Sequence, residues 1–199
     1  MAAIGEFLLT SVIVEITPGP NMTTLVAMSL AHGRRAGLAA VAGVALGLAV
    51  VGTLAAFGLA AVIHASPALY QLLRWLGIGY LLWLAWETWR AAEKPDETAS
   101  LDGFFLRGLM TNLLNPKAAM FYVAVLPAFV RPGDGPILGQ TLTLVAIYVL
   151  VATAVHTTLV LAAAHLHNGR DEASLTLLRR VLAVVLALVA IWFAWETQR

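Results

Sequence analysis

Glu15-Ile16-Thr17-Pro18-Gly19-Pro20-Asn21 interrupts the first long apolar run of the chain. A carboxylate, two prolines and a glycine do not suit a continuous helix in lipid, because each proline removes an N–H and clashes with the carbonyl four residues back. The helix is predicted to break here, leaving the carbonyls of Val14 and Ile16 without intrahelical partners. Backbone freed at membrane depth is tolerated only where protein or a water-filled cavity covers it, so the segment is expected to line a cavity. A counterpart follows about a hundred residues later at Asn115-Pro116-Lys117, where Pro116 is expected to orphan the carbonyl of Asn112.

Composition places these breaks in a membrane. The 199 residues are 60% hydrophobic and 12% charged, well outside the balance of a soluble domain. A net charge of +1 gives no reason to propose nucleic acid or an anionic surface as partner. With no cysteine, disulfides, thiolate metal sites and cysteine nucleophiles are excluded. The N-terminus carries Glu6 where a secretory signal has basic residues, so the first apolar run is expected to be retained.

A span needs roughly 20 apolar residues, and six segments qualify: about 4–28, 37–63, 67–90, 104–130, 137–165 and 176–196. His32-Gly33-Arg34-Arg35 reads as a tight turn between the first two. In the second, Ala39, Gly43 and Gly47 recur every four residues, which lets another backbone approach, either inside the monomer or across a homodimer seam. Tyr80, Trp83, Trp86 and Trp89, and later Trp192 and Trp195, read as anchors at the membrane interface. Residues 91–103 form a charged, proline-containing linker between two halves of three spans. The chain is thus one transmembrane domain, with repeat one at about 4–90 and repeat two at about 104–196.

Basic residues mark the cytoplasmic side. Arg34, Arg35, Arg90, Lys94, Arg107, Arg170, Arg179 and Arg180 fall on one side, against Arg74, Arg131 and Arg199 on the other. The loops joining spans one to two, three to four and five to six are therefore expected in the cytoplasm, with both termini outside.

Each half carries its break in its first span. Proline-interrupted segments at corresponding positions point to the binding site of a secondary transporter. Because three spans is an odd number, a duplicated half inserts upside down, and the two breaks meet near the midplane. A broken helix offers free carbonyls, which suit an ammonium, and free N–H groups at a positive dipole end, which suit a carboxylate. A zwitterionic amino acid presents both. Thr17, Pro18, Gly19, Pro20 and Asn21 from the first break, with Asn112, Asn115, Pro116 and Lys117 from the second, are the candidate substrate-binding or coupling residues.

Glu15 and Lys117 are the ionisable residues at this depth, where a charge costs roughly 2.5–3.5 kcal/mol. Either Glu15 exchanges a proton or holds the substrate ammonium while Lys117 attracts the carboxylate, or the two form an ion pair that fixes the packing of the halves. Arg74 either snorkels outward or lines an external vestibule. His156 is a proton relay or a histidine bonded to nearby backbone. His165 and His167 lack the acidic or cysteine company of a metal site, and no cofactor is implied. An intramembrane enzyme lacks support, since there is no HExxH and the histidines are scattered. A passive channel or facilitator for small zwitterions shares the polar breaks and differs only in lacking coupling.

Several motifs in order carry a resemblance: Thr17-Pro18-Gly19-Pro20-Asn21-Met22, Gly33-Arg34-Arg35-Ala36-Gly37-Leu38, Gly43 and Gly47, Gly77-Ile78-Gly79-Tyr80-Leu81-Leu82-Trp83-Leu84, then Phe105 and Gly108 ahead of Asn115-Pro116-Lys117-Ala118. Over nearly its whole length the chain resembles the lysine-exporter (LysE) superfamily, in its homoserine/threonine efflux (RhtB) branch. The resemblance implies an inner-membrane exporter of amino acids or their derivatives, an antiporter coupled to protons. Many members carry an acid directly after Pro-Gly-Pro, where this chain has Asn21, which turns attention to Glu15. The fold expected is all-α and integral to the membrane: six transmembrane helices as two inverted three-helix repeats, with helices 1 and 4 broken at Pro-Gly-Pro and Asn-Pro-Lys.

Overall fold

The computed structural model describes residues 2–17, 19–58, 67–93, 100–131, 133–167 and 172–196. Among them the ordered elements are all helical. Helix α1 covers Ala2–Ile16 and α2 covers Pro20–Ala56; α3 is Pro67–Glu93, α4 Leu101–Leu113 and α5 Pro116–Met120. A π-helical turn, Phe121–Val125, and a 3-10 turn, Leu126–Phe129, continue α5; α6 (Ile137–His167) and α7 (Glu172–Glu196) complete the chain. The linker is shorter than the expected 91–103, because α3 runs to Glu93 and α4 starts at Leu101. Ser100 caps α4 by accepting from the Gly103 N–H (3.2 Å), and Asp102 lies in its first turn, an acid placed against the positive end of the dipole.

Helix α2 is two helices joined at Gly33, which takes φ 80° and ψ −177°, a backbone region open essentially to glycine alone. The chain reverses there. A Cβ on Gly37 would stand 2.9 Å from the Cβ of Ser29, whereas residues eight apart on a straight helix are about 12 Å apart. The arms 20–32 and 34–56 thus form a hairpin, with His32-Gly33-Arg34-Arg35 at its tip.

The second arm is the centre of the molecule and packs on α4 and α6. Against α4 the contact is backbone to backbone. A Cβ on Gly43 would fall 2.0 Å from the carbonyl oxygen of Phe105, and one on Gly108 would fall 2.1 Å from that of Ala40. The small-residue face therefore packs inside the monomer. Ala40 lies beside Gly108, Gly47 beside Asn112 and Gly52 beside Tyr122, so these two stretches run in the same direction. Gly37 meets Val160 and Gly52 meets Val145, so α6 runs opposite to the arm. Helices α3 and α7 pair with each other, with Arg180 over the Trp89 ring at 5.6 Å.

Aromatic rings tie α1 and α6 to the segment after α5. Phe121 stacks on Tyr148 with centroids 3.8 Å apart, while Phe7 meets Phe121 and Phe129. The Tyr122 hydroxyl donates to the carbonyl of Leu48 (2.9 Å). The periphery is greasy: Leu150 is 70% exposed and Trp195 73%, among many large apolar side chains turned outward. A surface of that kind fits a hydrocarbon solvent and not water. Taken singly, the helix over Ile137–His165 is long and apolar enough to cross a membrane.

Candidate functional site

Helix α1 ends at Ile16 and the next helix begins at Pro20, with extended Gly19 as its cap. Proline suits the first helical position, where its missing N–H would have no partner anyway. The first bond of the new helix runs from the Thr23 N–H to the Gly19 carbonyl (3.0 Å). The N–H groups of Asn21 and Met22 precede it, and the glycine cap has no side chain to accept them. The second break is built differently. Asn115 caps α5 by accepting the Lys117 N–H on Oδ1 (3.0 Å), and Pro116 takes the first helical position. One break is open at its positive end and the other is closed.

The carbonyls freed at the end of α1 are claimed from across the molecule. Lys117 Nζ donates to the carbonyl oxygens of Val14 and Thr17, each at 2.7 Å. The sequence marks Val14 and Ile16 as the orphans; the second carbonyl held is that of Thr17. Lys117 thus reaches the helix end and not Glu15, so the alternative in which the two form an ion pair is not the contact seen.

Glu15 has other partners, both on α6. The Tyr148 hydroxyl donates to Oε1, and His156 Nε2 stands 2.9 Å from Oε2, close enough for an ion pair though off the line along which its ring N–H would donate. All three side chains are buried, Glu15 at 6% exposure and the other two at 1%. Tyr148, Ala152, His156 and Val160 recur every four residues and are all buried, one stripe of α6 turned inward. A carboxylate at this depth needs such company, since an isolated buried charge is far costlier than a paired one.

A small cavity joins these groups. Glu15, Thr17, Gly19, Asn21, Asn115, Lys117, Tyr148 and His156 line it together with Met22 and Ala118. Its volume is about 10 Å³, room for about one water molecule. Asn21 Oδ1 is buried with no partner among the described residues. Pro20 is buried at the start of its helix, and Pro18 lies outside the described residues. Asn112 is placed elsewhere: its side chain packs against Gly47 at the crossing of α2 and α4. Its carbonyl is not orphaned, because the Asn115 N–H turns back to it (2.9 Å). Arg74 sits in α3, and its side chain lies outside what the structure describes. Tyr148 escaped the sequence reading, although it shares a four-residue stripe with His156. Trp83, Trp86 and Trp89 face outward, as interface anchors do.

The description "LysE type translocator" matches residues 12–197 as a family. The chain belongs to the LysE-type translocators. Over 156 residues this translocator is 34% identical to the homoserine/homoserine lactone efflux protein of Salmonella typhimurium, covering 76% of the chain and 75% of the relative. It is 35% identical over 130 residues to the leucine efflux protein of Klebsiella pneumoniae, covering 62% and 61%. A membrane protein of Vibrio cholerae is 31% identical over 131 residues, covering 63% and 64%. These names are consistent with the RhtB branch, and the family is one of membrane transporters rather than enzymes. No solved structure matches the chain.

Proposed function

We propose that this translocator is a secondary active exporter of amino acids or their derivatives across a bacterial inner membrane, coupled to the proton gradient. The observation that carries the reading is the break between α1 and α2. Carbonyls without helical partners, held by Lys117 Nζ, end one helix, uncapped N–H groups begin the next, and a buried carboxylate faces the same cavity. The carbonyls suit the ammonium of an amino acid and the N–H groups its carboxylate. Names of the relatives add a chemical hint. Homoserine, homoserine lactone and leucine all carry a primary ammonium beside a carbonyl carbon, and the lactone has no free carboxylate. The ammonium is then the group a shared site recognises, and the carbonyl end is its seat.

Glu15 is the proton-exchanging group in this reading, with Tyr148 and His156 holding it in place. Thr17, Gly19, Asn21, Asn115 and Lys117 form the rest of the binding layer. A cavity the size of one water cannot hold an amino acid, so the broken helices must part for loading. The directions of the helices support six spans in two inverted repeats, about 4–90 and 104–196. In an alternating bundle the second and fourth spans run parallel and the second and fifth antiparallel, as the second arm of α2 does with α4 and α6. Basic loops then lie in the cytoplasm and both termini in the periplasm.

The test uses purified protein in liposomes loaded with labelled homoserine, threonine, leucine, lysine or arginine in turn, with and without an imposed pH gradient. Release of at least one, accelerated by the gradient, is expected. Release that ignores the gradient would make the protein a passive facilitator, and no release of any would sink the amino-acid reading.

A further inference from the structure

The seat at the end of α1 is already filled. Lys117 Nζ bonds the Val14 and Thr17 carbonyls, and its stem lies along Gly19, where an added Cβ would come within 3.3 Å of the lysine Cδ. A lysine ends in an alkyl chain with three N–H donors and no acceptor. At this seat it presents the same group that an amino acid would present.

We propose that Lys117 is a tethered stand-in for the cargo ammonium: it holds the two carbonyls while the translocator is empty, and an amino acid loads by displacing it. The inference rests on the amino-acid reading above and adds what the site does between cargoes. An exporter must return its empty site across the membrane after each release, and unpaired carbonyls there would make that return costly. A resident ammonium removes the cost and keeps one positive charge in the seat whether or not cargo is bound. Local structure suits the role. Asn115 and Pro116 fix the backbone from which the side chain starts, and four flexible methylenes let the ammonium swing out and back. The opposite end of the site stays open, since the Asn21 and Met22 N–H groups have no side-chain cap.

Lys117→Ala removes the side chain beyond Cβ, a fragment equivalent to n-propylammonium. In detergent, the thermal stability of that variant is expected to rise with added propylammonium chloride, because a ligand that binds only the folded state stabilises it. Wild type should need at least about tenfold more, since a tethered ammonium competes at an effective concentration in the millimolar range. Homoserine and leucine should stabilise the variant at lower concentration than wild type, and propylammonium should compete with them. Should Lys117→Ala not fold, Lys117→Met with ammonium against sodium chloride asks the same question, because methionine keeps most of the stem and leaves the place of Nζ empty. Propylammonium without effect on the variant, while amino acids bind both proteins alike, overturns the stand-in and leaves the amino-acid reading intact. Propylammonium that binds without hindering amino acids makes Lys117 a fixed staple and also overturns it. If propylammonium fills the seat but no amino acid binds either protein, the amino-acid reading fails and the stand-in with it.

Discussion

His156 Nε2 lies 2.9 Å from Glu15 Oε2, and the two residues come from helices separated by most of the chain. Tyr148 holds the other oxygen of the same carboxylate, so α6 grips the last turn of α1 through one side chain. If Glu15 is the group that takes and releases the coupling proton, Glu15→Gln should keep the fold, because an amide oxygen still accepts from Tyr148. Gradient-driven release from liposomes should then fall to the rate seen without a gradient. Export by the variant at the wild-type gradient-driven rate would remove Glu15 from the coupling.

Tyr148→Phe separates the hydroxyl from the ring. The ring still stacks on Phe121, so the loss is the bond to Glu15, worth about 1.5–3 kcal/mol when one partner is charged. Export should weaken with the fold intact. Because the two residues act on one bond, the double variant Glu15→Gln, Tyr148→Phe should transport no worse than Glu15→Gln alone. Additive losses in a transport assay would show that the hydroxyl serves something other than the carboxylate.

Much of this site was legible because proline writes its effect directly into the sequence. The pairs Pro18 with Pro20 and Asn115 with Pro116 announce helix interruptions wherever the chain goes, and Glu15 and Lys117 stand out as charges in apolar runs. Which group meets which was not legible. Lys117 had two suitors, a carboxylate and a freed helix end, and only tertiary placement decides for the carbonyls of Val14 and Thr17. Tyr148 was invisible for another reason: a tyrosine in a hydrophobic helix looks like core. Its four-residue stripe with His156 was the available signal. Asn112 misled because the turn ahead of Pro116 satisfies its carbonyl locally through Asn115, a solution that counting back from a proline does not foresee.

The crossing of α2 and α4 offers a test of packing. Gly43→Ala places a methyl 2.0 Å from the Phe105 carbonyl oxygen, and Gly108→Ala places one 2.1 Å from that of Ala40. Backbone has to move in either case, at a cost of about 1–3 kcal/mol. Once one methyl has pushed the helices apart, the second should add little, since the two contacts share one crossing. Thermal denaturation in detergent of both singles and the double measures this; full additivity would mean that the two glycines relax independently.

Gly33 makes the hairpin of α2 possible, and its role is separable from packing. At φ 80° and ψ −177° any side chain is strained, by about 1–3 kcal/mol. Glycine elsewhere in a helix is itself a small liability relative to alanine, about 1 kcal/mol. The sign of a Gly→Ala change therefore reports the local backbone. Gly33→Ala should destabilise the protein, whereas Gly79→Ala, in α3 with no atom within 4 Å of the added Cβ, should stabilise it slightly or leave it unchanged. Denaturation midpoints of the two variants side by side decide the matter. A Gly33→Ala protein as stable as wild type would mean that the chain does not reverse at this residue, and the pairing of Ser29 with Gly37 would have to be abandoned.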